Sequence, residues 1–201
     1  MQKILDEFLE IKDNSQLCIR YACSIDSSKD RTSLLIKELI INNAFMNVVT
    51  AWEKFLEKST IAYSLSTASI TGHSPICYIR PKDEEHANEL IKGAVQYLDW
   101  SSKEQIIKMA ERIFENGEPY KTVIFGINSH LVNIKKLRNN IAHNSRKSNE
   151  EFDTLVRNEL SPSEVGISTA QFLLYSKNSA PPFWEIYFTH LMNGAKAIVS
   201  F

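Results

Sequence analysis

Arg138, Asn139 and His143 are the residues of this chain whose types and spacing could do chemistry. The run Arg138-Asn139-Asn140-Ile141-Ala142-His143 puts a permanent cation, two amides and one imidazole within about two helical turns. Arginine grips a phosphate with a rigid fork of donors. Histidine takes or gives a proton near neutral pH. Together they are the smallest kit that cuts RNA without a metal, by attack of the RNA's own 2′-hydroxyl on the adjacent phosphorus. In that scheme Arg138 holds the scissile phosphate and offsets charge developing in the transition state. His143 removes the proton or protonates the leaving 5′-oxygen. Asn139 orients His143 or donates to the phosphate.

A second Arg–His pair, Arg80 and His86, has a similar spacing. It begins Arg-Pro-Lys-Asp, in a proline-broken stretch with no polar amide after the arginine, and is read as coincidence. His73, His86, His130 and His190 show no metal-ligand spacing, and no metal or other cofactor is expected. Cys18, Cys23 and Cys77 form no C-x-x-C pair and suit reduced thiols, with Cys18 and Cys23 expected to pack as small hydrophobes.

Charge is unevenly distributed. The net charge is −1, yet Pro119 to Asn149 contains no Asp or Glu and holds Lys121, Lys135, Lys136, Arg138, Arg146 and Lys147. A basic segment in a mildly acidic chain is an electrostatic footprint for a polyanion. Lys135, Lys136, Arg146 and Lys147 are therefore candidates to track an RNA backbone.

The elements that position these residues read as helical nearly throughout. A first helix starts at Ile4 and resumes through Leu17 and Tyr21 after Asp13-Asn14-Ser15, and Asp26 to Asp30 is a turn ending in a cap. A second, long helix runs from about Arg31 to Leu65. Leu35, Leu39, Met46, Val49 and Leu56 mark one apolar line on it; Ile41, Phe45, Val48, Trp52 and Phe55 mark another, so it is expected to be central and heavily buried. Glu53, an acid between those lines, sits at the margin of the face or is buried with a partner; it is an auxiliary candidate that could fix Arg138 or His143, or it forms an isolated structural ion pair. Residues 66–82 read as a loop with a short extended piece at Ile76 to Ile79. Helices follow at Asp83–Lys92, from Ser101 to Asn116-Gly117, at about Val123–Ala142, at Ser148–Asn158 and at Phe183–Phe201. Ala170 to Tyr175 reads equally as helix or strand. The fold class is all-α: a helical bundle with a long central helix, as one domain over 1–201, its core about 1–160 and a helical C-terminal extension about 161–201. No apolar run reaches bilayer length, the N-terminus carries acids where a signal peptide carries none, and a cytoplasmic protein without a membrane partner is expected.

Helix geometry poses a problem for the motif. Ile134, Leu137 and Ile141 fall on one core line, which places His143 opposite it, beside Val132, Lys136 and Asn139. Arg138 and His143 then differ by about 140° on an ideal helix. Either the helix starts or bends here, or a second copy completes the site across a symmetric interface.

The six-residue motif resembles the hallmark of the HEPN superfamily, an Arg, a polar residue after it and a His after a spacer of four to six, on a late helix of an all-α bundle. The surrounding LVNIKKLRNNIAH, Leu131 to His143, is similar to many HEPN helices. The stretch Asn43 to Leu56 resembles the long helix of the RiboL-PSP-HEPN group, with Glu53 as its acid amid apolar residues. Gln171 to Tyr175 followed by Pro182-Phe183-Trp184 is a shorter echo. The resemblance covers residues 1–160 at bundle level and is specific in the motif. It implies a metal-independent endoribonuclease, dimeric, often the toxin of a toxin–antitoxin pair with an antitoxin protein as partner, or an anti-phage effector. It also implies an alternative, since some members have lost catalysis and serve as nucleotide-binding, RNA-binding or protein-interaction modules. Toxins of this type silenced by adenylylation carry a Tyr two residues past the His; here Ser145 stands there, after Asn144, which puts that mode of control in doubt.

Overall fold

The computed structural model describes residues 1–28, 30–93, 98–160, 164 and 166–201. Among them the regular structure is all helical, so the fold class is all-α. Nine α-helices follow in order among the described residues: α1 (Gln2–Ser24), α2 (Arg31–Ser64), α3 (Glu84–Lys92), α4 (Lys103–Ile113), α5 (Tyr120–Gly126), α6 (Asn128–His143), α7 (Arg146–Glu159), α8 (Thr169–Leu174) and α9 (Phe183–Val199).

Local chemistry sets most of these boundaries. Asp30 accepts from the Ser33 backbone N–H at 2.8 Å at the start of α2. Asp83 and Ser102 likewise cap α3 and α4 by accepting from the backbone three residues on. Ser168 and Gln171 form a reciprocal capping box that starts α8, so the ambiguous segment is helix. α1 is continuous, with Asp13-Asn14-Ser15 inside it rather than interrupting it. The helix expected over 123–142 is two. Gly126 ends α5, Ile127 leaves helical geometry at φ −110°, and α6 starts afresh at Asn128. α4 stops at Ile113 because Phe114 turns extended and pairs with Cys77, the extended piece read from the sequence.

The chain divides into two compact units. The first comprises Met1–Leu9, Ala51–Leu131 and Leu191–Phe201. Its core stacks Trp52 on Phe55, with Phe8 against both, and packs Tyr63, Phe114 and Tyr120 together. Tyr63 donates to the Ile198 carbonyl at 2.7 Å and Tyr120 donates to Ser59 at 2.9 Å, so both buried phenols keep a partner. Gly194 lets α9 approach closely, because a Cβ there would sit 3.2 Å from the Trp52 ring. The second unit comprises Glu10–Thr50 and Val132–His190. Phe172 stacks on Phe183 with centroids 4.5 Å apart, Phe152 meets Phe172 edge-on, and Phe45 contacts Tyr187 and Phe188.

Three expectations need correction. α2 is not buried along its whole length: Ile41, Phe45, Val48, Trp52 and Phe55 are buried, but Leu35 and Leu39 are exposed. Its first turns lack a partner that covers the outer line. Cys18 and Cys23 are exposed rather than packed, because Ile19 and Ala22 take the inward positions of α1. Finally, α2 is long and apolar enough to cross a membrane by length and composition, with an 18-residue window of mean hydropathy 1.3. A search for uninterrupted apolar residues stops at Lys37 and Glu38, whereas an average tolerates them; core helices pass the same test. The expected boundary between core and C-terminal extension falls at 160/161, and residues 161–163 lie outside the described ones.

The buried phenols generate a prediction. Burial pushes the Tyr63 hydroxyl up to about 12 and raises Tyr120 and Tyr187 as well. A folded-state value above the unfolded one, near 10, means the unfolded chain releases its protons first as pH rises. The stability these groups contribute is complete below pH 10 and is lost as pH climbs toward 12. Absorbance at 295 nm should therefore keep rising above pH 10, that late rise coinciding with loss of helical circular dichroism. A single step near pH 10 with the helical signal unchanged would contradict the packing.

Candidate active site

The motif occupies about the last two turns of α6, and the helix rotation there is set by what it buries. Ile134 and Leu137 are buried and Ile141 is half-buried, as the core line requires. His143 is exposed, as is Val132, while Lys136 and Asn139 are half-buried. α6 begins ten residues before Arg138 and runs unbroken through His143, so no helix start or bend brings Arg138 and His143 together.

What ends α6 is a two-residue link directly after His143. Asn144 takes the left-handed conformation at φ +40° while its N–H donates to the Asn140 carbonyl at 3.1 Å. Ser145 then caps α7. Its hydroxyl accepts from the Ser148 N–H at 3.2 Å, and its own N–H donates to the Ser148 hydroxyl at 2.9 Å. The Ser145 hydroxyl is thus engaged in holding the turn.

Two hollows flank this end of α6. The smaller, about 200 Å³, is lined by Asn139, His143, Ser145, Lys147, Ser148 and Glu151. It joins the imidazole, an amide and an ammonium group. Arg138 lines neither hollow. It is half-buried, and its Nη1 donates to Asn139 Oδ1 at 3.4 Å. That contact turns the Asn139 oxygen toward the guanidinium and leaves its NH₂ without a partner among the described residues. Asn139 is therefore the residue that links the two flanks of the motif.

The cations divide into paired and unpaired. Arg146 donates to Glu150 at 2.9 Å, and Lys147 lies 3.9 Å from Glu151, both one turn along α7. These pairs are solvated and weak, so a phosphate can displace the carboxylates. Lys121 pairs with Glu111 at 2.5 Å in the first unit, away from the motif in the chain. Lys136 and Arg138 enter no ion pair among the described residues, and Lys135 is half-buried beside them. Glu53 is half-buried and belongs to the first unit, whereas Arg138 and His143 belong to the second.

The sequence reading missed the larger hollow, about 470 Å³, on the other flank of α6. Asn140, Asn144 and Asn149 line it, with Asp153 from α7 and Asn42 from α2. The i,i+4 spacing of Asn140 and Asn144 was the available signal, but asparagine in such positions reads as turn chemistry. No known protein family, curated protein or solved structure matches the chain.

The link and the core line predict a stability pattern. His143→Ala should change unfolding free energy by no more than about 0.5 kcal/mol, because the side chain is exposed. Ser145→Ala should cost about 1 kcal/mol by removing the cap. Leu137→Ala should cost roughly 2–5 kcal/mol through loss of a fully buried side chain. Urea denaturation of the three variants checks this; a large loss in His143→Ala would make the imidazole a structural residue.

Proposed function

We propose that this protein is a metal-independent endoribonuclease of the HEPN type. The observation that carries the reading is an exposed His143 at the end of a continuous helix, sharing a hollow with Lys147 and with Asn139, whose amide oxygen accepts from Arg138. The RNA 2′-hydroxyl attacks the adjacent phosphorus and forms the new P–O bond as the bond to the 5′-oxygen breaks. His143 takes the 2′ proton or supplies a proton to the 5′-oxygen. Arg138 binds the phosphate and offsets its growing charge. Lys135, Lys136, Arg146 and Lys147 hold the flanking backbone, so binding weakens with salt.

Because Arg138 and His143 lie about 140° apart on one straight helix, the proposed site is built across a homodimer in which the two α6 helices face each other. Val132, exposed in the same row as Lys136, Asn139 and His143, supplies apolar surface for that contact. The biological setting proposed is that of a cytoplasmic toxin or anti-phage effector, with an antitoxin protein as its silencing partner. The same angular separation favours a second reading, a non-catalytic module that binds RNA, a nucleotide or a protein without cutting.

Incubation of total RNA with the purified protein in EDTA separates the two. Cleavage leaving 2′,3′-cyclic phosphate ends is expected; products with 3′-hydroxyl ends, or strict dependence on added divalent metal, would overturn the nuclease mechanism. His143→Ala should lose on the order of 10²–10⁴ in rate, and Arg138→Ala at least as much. Lys136→Ala should only weaken binding, reducing the salt slope by about one. His86→Ala, the control from the other Arg–His spacing, should cut like wild type.

A further inference from the structure

The larger hollow beside α6 has a chemical character unlike its surroundings. Its lining holds no cation, in a region where the chain from Pro119 to Asn149 is purely basic. A phosphate is therefore not what it suits. Two acceptors in it stand unsatisfied among the described residues. Asn42 Oδ1 is buried with no hydrogen-bond partner, and the half-buried Asp153 carboxylate has none among the described residues. Two of its amides are already ordered: Asn140 Nδ2 donates to Asn149 Oδ1 at 2.6 Å, and Thr169 donates to Asn140 Oδ1 at 3.3 Å. An unpaired buried acceptor costs free energy until a donor reaches it. Ile141, Phe152 and Ile167 supply apolar wall, and the volume, about 470 Å³, lies within the roughly 300–1,000 Å³ typical of small-molecule clefts.

The ligand then brings donors to those acceptors and an apolar face to the wall. An arginine or lysine side chain offers donors but brings no anion to the neighbouring Lys136 and Arg138. A nucleobase on an anionic backbone satisfies both demands, because the phosphates meet the cations while the base enters neutral. Among bases, guanine presents two adjacent donors, N1–H and the N2 amino group, that a single carboxylate accepts together. Its O6 and N7 remain as acceptors for asparagine NH₂ groups. Adenine and cytosine present one amino donor on that edge, next to an acceptor that the carboxylate repels.

We propose that this cleft is a guanine-reading subsite, in which Asp153 accepts from N1–H and N2–H and Asn42 accepts a further base or ribose donor. As a specificity determinant for RNA cleavage it rests on the nuclease reading, since Asn140 lies within the motif and Asn144 directly follows it; as a base-binding site it stands without it.

The test uses fluorescein-labelled deoxyuridine oligonucleotides carrying one central G, A, C or xanthine. These lack the 2′-hydroxyl, so binding is read without cleavage. Wild type should bind the G probe at least about five-fold tighter than the others, the discrimination expected of a bidentate base contact. His143→Ala should keep that preference. Asp153→Asn should lose it and favour xanthine, whose 2-oxo group accepts from the new amide. Asn42→Ala should weaken the G probe several-fold, a second variant that reads the site without touching the carboxylate. Equal affinity for all probes, or an Asp153-dependent affinity for N-acetyl-arginine amide exceeding that for guanosine, would overturn the proposal. A protein that reads guanine but leaves RNA intact keeps the subsite and loses the nuclease; one that cuts RNA with no base preference does the reverse.

Discussion

The rotation of α6 about its own axis is the constraint on which the rest depends. Ile134 and Leu137 are buried, and with them in place every other side chain of the helix has a fixed azimuth. His143 must face outward, Arg138 must sit on one flank, and Asn140 must sit on the other. No rotamer change undoes a separation of about 140° on a straight helix. The chain adds a second constraint by ending the helix directly after His143. Asn144 at φ +40° and the Ser145–Ser148 capping box reverse the chain within two residues, which brings Lys147 and Glu151 of α7 into the hollow with His143.

This arrangement gives the end of α6 two chemically distinct sides. One carries the imidazole, an amide and an ammonium group around the smaller hollow. The other carries amides and a carboxylate around the larger one. In the proposed function the first handles the phosphate and the proton, and the second handles a base. The weak, solvated pairs of Arg146 and Lys147 with Glu150 and Glu151 suit that division. They hold the cations in place without committing them, so in the proposed function an RNA backbone would meet preordered charge.

Much of the helical framework was legible in the sequence because the determinants are local. Asp83, Ser102 and the 3.6-residue spacing of Ile106, Met109, Ala110 and Ile113 define their helices without reference to distant residues. The errors came where tertiary context decides. Gly126-Ile127 breaks a pattern that periodicity alone joins, and Leu35 and Leu39 continue an apolar line that no neighbour covers. Cys18 and Cys23 were assigned inward by residue type, whereas Ile19 and Ala22 hold those positions. For the site, the motif residues and their azimuths could be read from spacing. The Asn42–Asp153 hollow could not, because it joins residues more than a hundred positions apart.

The central claim of the account is that Arg138 and His143 act together across two copies of α6. The most direct measurement mixes Arg138→Ala and His143→Ala proteins, each inactive alone, and follows RNA cleavage after subunit exchange. A mixed dimer contains one composite site with both native residues, so an equal mixture should recover about a quarter of wild-type activity. No recovery, although mixed dimers form, would contradict it.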